Sequence, residues 1–298
     1  MRRRLHSSVL RWFKCAGRPL PWREFTDPYP ILVSEVMLQQ TQVSRVLVKL
    51  PDFLAVFPTI KHLASAQQRS VVTAWKGMGY NNRAVRLHRL AQIVVERHGG
   101  KIPGTLVELK GLPGIGRYTA HAFLAFAHRQ AVPVVDINIR RLFSRLFWHM
   151  ADSSALRPES DIWDLSRTLL PRAHVFEWNQ ALMDLGALVC VARTPRCQVC
   201  PLKDCCRSRL PATSVRRRHS RSEPSHRGLP NRVYRGRIVE ALRNEPGRLR
   251  LAELGKVIRQ GFAPSERPWL LRLVAGLERD GLVVVTQNSR SDVFLTLA

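Results

Sequence analysis

Four cysteines, Cys190, Cys197, Cys200 and Cys206, form a Cys-x6-Cys-x2-Cys-x5-Cys run. Soft thiolates gathered this locally suit zinc or an iron–sulfur cluster. Structural zinc sites usually pair two knuckles, whereas a single Cys-x2-Cys here has two outlying partners, which favours a cluster. Cys205 is a spare thiol able to exchange with Cys206. Two acids stand in surroundings that perturb a carboxyl. Glu35 lies within Ile31-Leu32-Val33-Ser34-Glu35-Val36-Met37-Leu38. Poor solvation there raises its pKa and keeps a proton available near neutrality, the property of a general acid; the plain alternative is a helix glutamate that faces out. Asp136 closes a Val132-Pro133-Val134-Val135 run, where it can cap the following helix. A carboxylate fixed by backbone N–H groups stays ionised and can stabilise a developing cation, with Asn138 two residues on.

Between the acids runs Gly111-Leu112-Pro113-Gly114-Ile115-Gly116-Arg117-Tyr118-Thr119-Ala120. The pattern predicts a tight turn whose two glycines are free to take positive φ, opening into a helix with unpaired N–H groups at its start. Such a turn is a phosphate site. Arg117 and Tyr118 stand where a P-loop needs Lys and Ser/Thr, and a dinucleotide fingerprint lacks its third glycine. A helix-hairpin-helix gripping one nucleic-acid backbone remains, against an ordinary helix–helix turn.

The partner predicted by charge agrees. In 298 residues, 48 Lys and Arg stand against 22 Asp and Glu, a net charge of +26. That excess points to a polyanion, nucleic acid first. No long apolar span speaks for a membrane, and Met1–Gly17 has no apolar core or small-residue cleavage site of a signal peptide. A cytoplasmic, reducing compartment is expected, and clustered cysteines fit it.

The elements that must position these residues read as helices: Leu5–Cys15, Tyr29–Leu50, Thr59–Ala64, Arg69–Lys76, Arg83–His98, Arg140–Phe147, Asp161–Leu170 and Glu177–Cys190. Residues 1–207 are therefore expected to form a mainly α domain, with the cysteine loop at 190–206. Residues 208–232, rich in Arg, Ser, Pro and His, read as a mobile basic linker. Residues 233–298 recover periodicity: helices at Arg237–Leu242, Leu251–Ile258 and Pro268–Arg279, then a hairpin of Leu282–Thr286 and Val293–Leu297, as in a small α+β, winged-helix-like module.

Taken together, the hairpin, Asp136 and the cysteine run resemble the helix-hairpin-helix DNA glycosylases with an iron–sulfur loop. Within them, Leu20-Pro21-Trp22-Arg23, Ser34–Val43, Gly79-Tyr80 and Ala181–Gly186 resemble the adenine DNA glycosylases of the MutY type. The resemblance covers about residues 10–206. It implies base excision repair, two α-helical subdomains with duplex DNA between them, and a [4Fe–4S] cluster on Cys190, Cys197, Cys200 and Cys206. The reaction implied is hydrolysis of adenine mispaired with guanine or 8-oxoguanine, by a monomer acting at the nucleoid of a bacterial cytoplasm. Glu35 would be the acid, Asp136 the cation stabiliser and Asn138 its polar partner. Tyr118 stands where bifunctional relatives hold a Schiff-base lysine, so the strand should be left whole; it would bond Asp136 or the sugar. Gln40, Thr41, Met78 and Tyr80 would fill the space of the extruded base. Arg23, Leu112, Gly114, Gly116 and Arg117 complete the expected DNA contacts. Residues 233–298 are too few for the Nudix-like domain usual in this family. Two rival readings are a same-fold enzyme removing thymine or uracil opposite guanine, and a DNA binder without catalysis.

Overall fold

A computed structural model describes residues 2–150, 156–208, 223–288 and 292–298. Among these, the helices in order are α1 (Arg2–Ala16), α2 (Pro28–Leu38), α3 (Val43–Val56), α4 (Ile60–Ser65), α5 (Gln68–Ala74), α6 (Asn82–His98), α7 (Leu106–Lys110), α8 (Arg117–Phe126), α9 (Ile137–Trp148), α10 (Glu159–Leu169) and α11 (Val175–Asp184). A hairpin of β1 (Ser225–His226) and β2 (Leu229–Pro230) follows, then α12 (Asn231–Asn244), β3 (Leu249–Arg250), α13 (Leu251–Ile258), α14 (Arg267–Arg279), β4 (Val283–Gln287) and β5 (Val293–Leu297). The chain divides into two compact units. Met1–Glu35, Gly104–Gly111 and Ile115–Ser220 form the first, and Val36–Pro103, Leu112–Gly114 and Arg221–Ala298 the second.

The first unit is organised by one apolar core. Leu5 and Val9 of α1 pack with Ile139, Phe143 and Leu146 of α9, Trp163 of α10, and Trp178 and Leu182 of α11. The expected helix at Glu177–Cys190 changes pitch partway: α11 gives way to a π-helical turn, Leu185–Val189. A Cβ on Gly186 in that turn would stand 2.8 Å from Asn138 Cβ, so only glycine lets α9 approach this closely. Asp184, fully buried at the end of α11, accepts hydrogen bonds from Arg18 Nη2 at 2.6 Å and Arg23 Nη2 at 2.8 Å. Burial pushes its carboxyl up, but the two arginines prevail and hold it below the usual range. Arg23 also donates to Gln180 Oε1 at 2.8 Å. Its expected role at DNA is thereby corrected: the guanidinium is spent on fastening the Leu20–Arg23 segment to α11.

The second unit has α4 and α5 packed on α6, around Phe53, Leu63, Val71, Trp75, Leu87 and Val94. Instead of one helix over Tyr29–Leu50, the chain breaks after Leu38 and restarts at Val43. Gln40 takes a φ of +56°, a left-handed conformation no helix continues through. In the carboxy-terminal part, β5 lies between β3 and β4 in an antiparallel sheet, with Leu249 opposite Leu295 and Val285 opposite Leu295. The order helix, strand, helix, helix, strand, strand is that of a winged helix. Part of the expected linker is folded: β1 and β2 pair across Arg227-Gly228, both at positive φ (+48° and +80°), a two-residue turn matched to strand twist. Its His226 ring stacks on Trp269 at 3.9 Å. Residues 209–222 of that linker lie outside the described residues.

Candidate active site and nucleic-acid interface

Glu35 sits on α2 with Ile31, Leu32, Val33 and Ser34 buried beside it, and is itself 3% exposed. An apolar helix buried all round supplies no water to a carboxylate. Burial pushes the carboxyl up to about 7; the Tyr118 hydroxyl pulls it down and the nearby Asp136 pushes it up further. Tyr118 Oη donates to Glu35 Oε2 at 3.3 Å, from the first turn of α8. Asp136 or the reacting sugar is the partner expected of Tyr118; of the protein's two acids, its hydroxyl reaches Glu35 and not Asp136. Its phenol is raised well above the ordinary value, by burial first and then by both acids, so it acts as a donor.

Asp136 caps α9: its Oδ1 accepts from Ile139 N at 2.7 Å, and its Oδ2 from Asn138 Nδ2 at 2.6 Å. Asn138 Oδ1 in turn accepts from Arg141 Nη2 at 2.9 Å. Arg141 also donates to Gly186 O at 2.7 Å and Cys190 O at 2.8 Å. Burial nonetheless raises the Asp136 pKa, against the pull of Ile139 N–H, Asn138 and Arg141. Desolvation is the largest effect on this carboxyl, and the cap and its neighbours oppose it. The capping and the catalytic readings of Asp136 thus share one geometry.

Cys190, Cys197, Cys200 and Cys206 line one cavity, together with Arg145, Val189 and Leu202. Arg145 Nη1 donates to Cys190 Sγ at 3.5 Å, while Arg145 also holds Val191 O and Ala192 O, each at 2.8 Å. Its Nε is buried without a hydrogen-bond partner. Among the described residues no three His, Cys, Asp or Glu side chains converge as a single ion requires. Cys205 is exposed.

The hairpin leaves α7 at Gly111. Gly114 takes a φ of +81°, with Arg86 Cβ 3.3 Å from where a Cβ would stand. Gly116 departs from the expectation: it is extended (φ −87°, ψ 179°), the residue that begins α8, and a Cβ there would meet nothing within 4 Å. Leu112 is buried, so it anchors the turn from inside and its side chain is removed from the expected DNA contacts. Arg117 is exposed, with its guanidinium 4.1 Å over the Trp163 ring.

Gln40 and Tyr80 are exposed residues at positive φ (+56° and +45°) in two separate loops of the second unit. Such strain in non-glycine residues gathers where loops are held for a purpose. What holds them is Arg83, which residue type and spacing do not single out. Its buried guanidinium donates to Val36 O (2.9 Å), Met37 O (2.8 Å), Gln39 O (2.6 Å) and Thr41 Oγ1 (2.9 Å) on one loop, and to Met78 O and Gly79 O (3.1 Å each) on the other. Burial lowers its pKa to about 10, so it stays charged at neutral pH, solvated by carbonyls in place of a carboxylate. Thr41 is partly buried and spends its hydroxyl on Arg83. Met78 is 2% exposed, which removes its side chain from the residues expected to fill the space of the extruded base: it belongs to the core.

Residues 33–167 match the model of the HhH-GPD superfamily base excision DNA repair proteins. The chain is 41% identical over 285 residues to the adenine DNA glycosylase of Mycobacterium tuberculosis strain H37Rv, spanning 95% of this chain and 91% of that one. With the adenine DNA glycosylase of Mycolicibacterium smegmatis the figures are 38%, 95% and 93%. Both matches are long enough to take in the carboxy-terminal module. The human adenine DNA glycosylase is 40% identical over 211 residues, 68% of this chain but 39% of the human protein. Among solved structures, a thermostable thymine-DNA glycosylase superposes with a TM-score of 0.65 at 28% identity, covering 70% of this chain and 96% of its own. An endonuclease III–DNA complex shares the fold at 20% identity, with a TM-score of 0.58.

Proposed function

We propose a function from one premise: the chain belongs to the adenine DNA glycosylase family, within the HhH-GPD superfamily of base excision DNA repair proteins. The reaction is hydrolysis of the N-glycosidic bond of adenine mispaired with guanine or 8-oxoguanine in duplex DNA. The observation that carries it is Glu35, a buried carboxyl with a pKa of about 7 that hydrogen-bonds Tyr118 and feels the charge of a second, half-buried acid, Asp136. In the reaction Glu35 gives its proton to a ring nitrogen of adenine, and the bond from that base to the sugar C1′ breaks. The bonding pair leaves with the base. Asp136, ionised and steadied by Ile139 N–H and Asn138, stabilises the oxocarbenium-like sugar. Water adds at C1′, its proton passing to a carboxylate, and an abasic site remains. No lysine stands at 118, so no Schiff base forms and the strand stays whole.

Duplex DNA is the macromolecular partner of this reading. Arg117 with the open backbone at Gly116 meets a phosphate, and Gln40 and Tyr80 enter the helix where the base has left. A [4Fe–4S] cluster fits the cysteine cavity. Cys190, Cys197, Cys200 and Cys206 would hold it, and Arg145 supplies a positive group beside Cys190 for a ligand set of net negative charge. When bound, the cluster cross-links the loop; the hydrolysis above requires no electron from it. Iron and acid-labile sulfide in stoichiometric amount support this assignment, and zinc with no sulfide refutes it.

A single-turnover assay on A·8-oxoG, A·G, T·G and U·G duplexes, followed by alkali, tests the whole reading. Cleavage of the adenine duplexes is expected. Cleavage confined to T·G or U·G would establish the second reading, which Tyr118 and the 28%-identical thymine-DNA glycosylase favour.

A further inference from the structure

The run from Val132 to Asp136 leads from α8 into α9 and belongs to neither helix nor strand. Val134 and Val135 are nonetheless buried, at 1% and 5% exposed. A buried main chain outside any ladder must find its hydrogen bonds on side chains. Asn179, in the middle of α11 and 1% exposed, supplies two of them. Its Oδ1 accepts from Val134 N at 3.1 Å, and its Nδ2 donates to Val132 O at 3.0 Å. Those two groups stand two residues apart, on one edge of an extended chain. The carboxamide turns one donor and one acceptor to that edge, as a neighbouring strand would. The excision chemistry described above makes no use of it.

The segment so held ends in Asp136. Beyond it, the cap of Ile139 N–H and Asn138 fixes the carboxylate relative to α9, because all three residues lie within one turn. The bonds of Asn179 tie the chain entering Asp136 to α11. The same helix carries Gln180, which accepts from Arg23, and Asp184, which holds Arg18 and Arg23. It is therefore a common ruler for the segment that precedes α2, which bears Glu35, and for the one that precedes α9. Glu35 of α2, Tyr118 of α8 and Arg141 of α9 face Asp136 as charged or titratable groups. Asn179 is neutral and adds no charge to that set. What it contributes is position.

We propose that Asn179 is a positioning residue of the excision reaction: by pairing with Val132 and Val134 it sets where the Asp136 carboxylate stands against the sugar. The inference rests on the reading of the chain as an adenine DNA glycosylase. It deepens that reading by a buried residue that acts through Asp136.

Two replacements separate position from stability. Asn179→Leu keeps the volume and removes both bonds, whereas Asn179→Asp keeps the acceptor for Val134 N–H and loses the donor for Val132 O. Leu169→Ala, which hollows the same core from α10, is the control for lost stability alone. Each full-length protein is taken in excess over an A·8-oxoG duplex, below the melting range that circular dichroism gives for it. The single-turnover rate is followed against enzyme concentration and against pH. Asn179→Leu should lower the saturated rate roughly 10- to 100-fold. The half-saturating concentration should stay, because a misplaced carboxylate is felt at the transition state and not in DNA binding. Its acid limb should move to lower pH, since burial is the main cause of the raised Asp136 pKa and a loosened segment admits water. Asn179→Asp should show a smaller fall in rate, and it carries the test if Asn179→Leu does not fold. Leu169→Ala should keep the parent's rate and acid limb. A parental rate and limb in the folded Asn179 variants would overturn the proposal and leave Asn179 a structural residue, as would equal losses in Leu169→Ala. Cleavage of T·G or U·G but of no adenine duplex by the parent protein would instead refute the adenine reading, and the same comparison on the cleaved duplex would then decide the role of Asn179.

Discussion

In the proposed reaction a single proton at Glu35 decides the activity. Its pKa near 7 is raised above the ordinary carboxylate value, so the acid form predominates below pH 7 and is lost as pH rises through it. The role proposed for Asp136, as an ionised carboxylate, predicts the opposite limb: burial raises its pKa, so the rate should fall on the acid side at a higher pH than an ordinary aspartate would give. Single-turnover excision should thus be bell-shaped, and Glu35→Gln should lower it at least about 100-fold, with duplex affinity retained. A fall in affinity in that variant would make Glu35 a structural residue. Tyr118 offers a sharper check. Its hydrogen bond lowers the Glu35 pKa, so Tyr118→Phe should move the alkaline limb to higher pH; a limb that stays or falls would show that the bond is not made in solution. Both acids were legible in the sequence, because an acid inside the apolar run from Ile31 to Leu38 and an acid ending a Pro-Val-Val run are each rare placements. Arg83 was not. An arginine on an amphipathic helix reads as solvated, and its burial is decided by carbonyls more than forty residues away in α2 and the turn after it.

Elements place those residues through contacts that periodicity does not report. Helix existence follows from apolar spacing, and most of the helical segments expected from it are present. The break at Gln39–Gln42 escaped because the apolar pattern continues on both sides; only the backbone at Gln40, held by Arg83, interrupts it. The strands β1, β2 and β3 are two residues each, too short to show alternation. Likewise Leu112 and Met78 are apolar residues in loops, and residue type alone does not tell an inward anchor from an outward wedge. Arg83 joins two loops, so Arg83→Ala should orphan several buried carbonyls. We expect a loss of about 3 kcal/mol in chemical denaturation and a collapse of base extrusion, read with 2-aminopurine fluorescence. Arg83→Lys should not rescue it, because one ammonium cannot span both loops; full rescue would refute the bridging role. At the π-helical turn, Gly186→Ala drives a methyl into Asn138, 2.8 Å from its Cβ. Overpacking there should cost about 1–3 kcal/mol in the same denaturation experiment and slow excision by displacing Asn138 from Asp136, while Gly116→Ala, facing open space, leaves stability unchanged and weakens DNA binding.

For the molecule as a whole, a charge of +26 guarantees affinity for any duplex at low salt, so discrimination must come from how rigidly the reading surfaces are presented. The carboxy-terminal module bears on that rigidity. Tyr234, Ile238, Leu254, Leu270, Leu273 and Leu295 give it an apolar core of its own, yet it is bonded to α5 and the loop before α6 through Arg243, Arg69 and Gln68. Arg243 is the key of that set: it is buried, pairs with Glu240 at 3.1 Å, and reaches both Val72 O and Asn81 Oδ1. Burial lowers its pKa and Glu240 raises it, so the charge is held by its partners and not by water. Arg243→Ala leaves Val72 O and Glu240 without a buried donor, a loss of about 2–3 kcal/mol. The cost should fall on the docking and not on either core. In calorimetry the module should then melt apart from the remainder, giving a separate transition at lower temperature where the parent protein shows them together. Discrimination between A·8-oxoG and A·T duplexes should weaken alongside, because Asn81 no longer steadies the loop of Tyr80. An unchanged melting profile in Arg243→Ala would show that Arg69, Gln68 and the Lys76–Glu240 pair suffice to dock the module, and the rigidity of the Tyr80 loop would then have to rest on them.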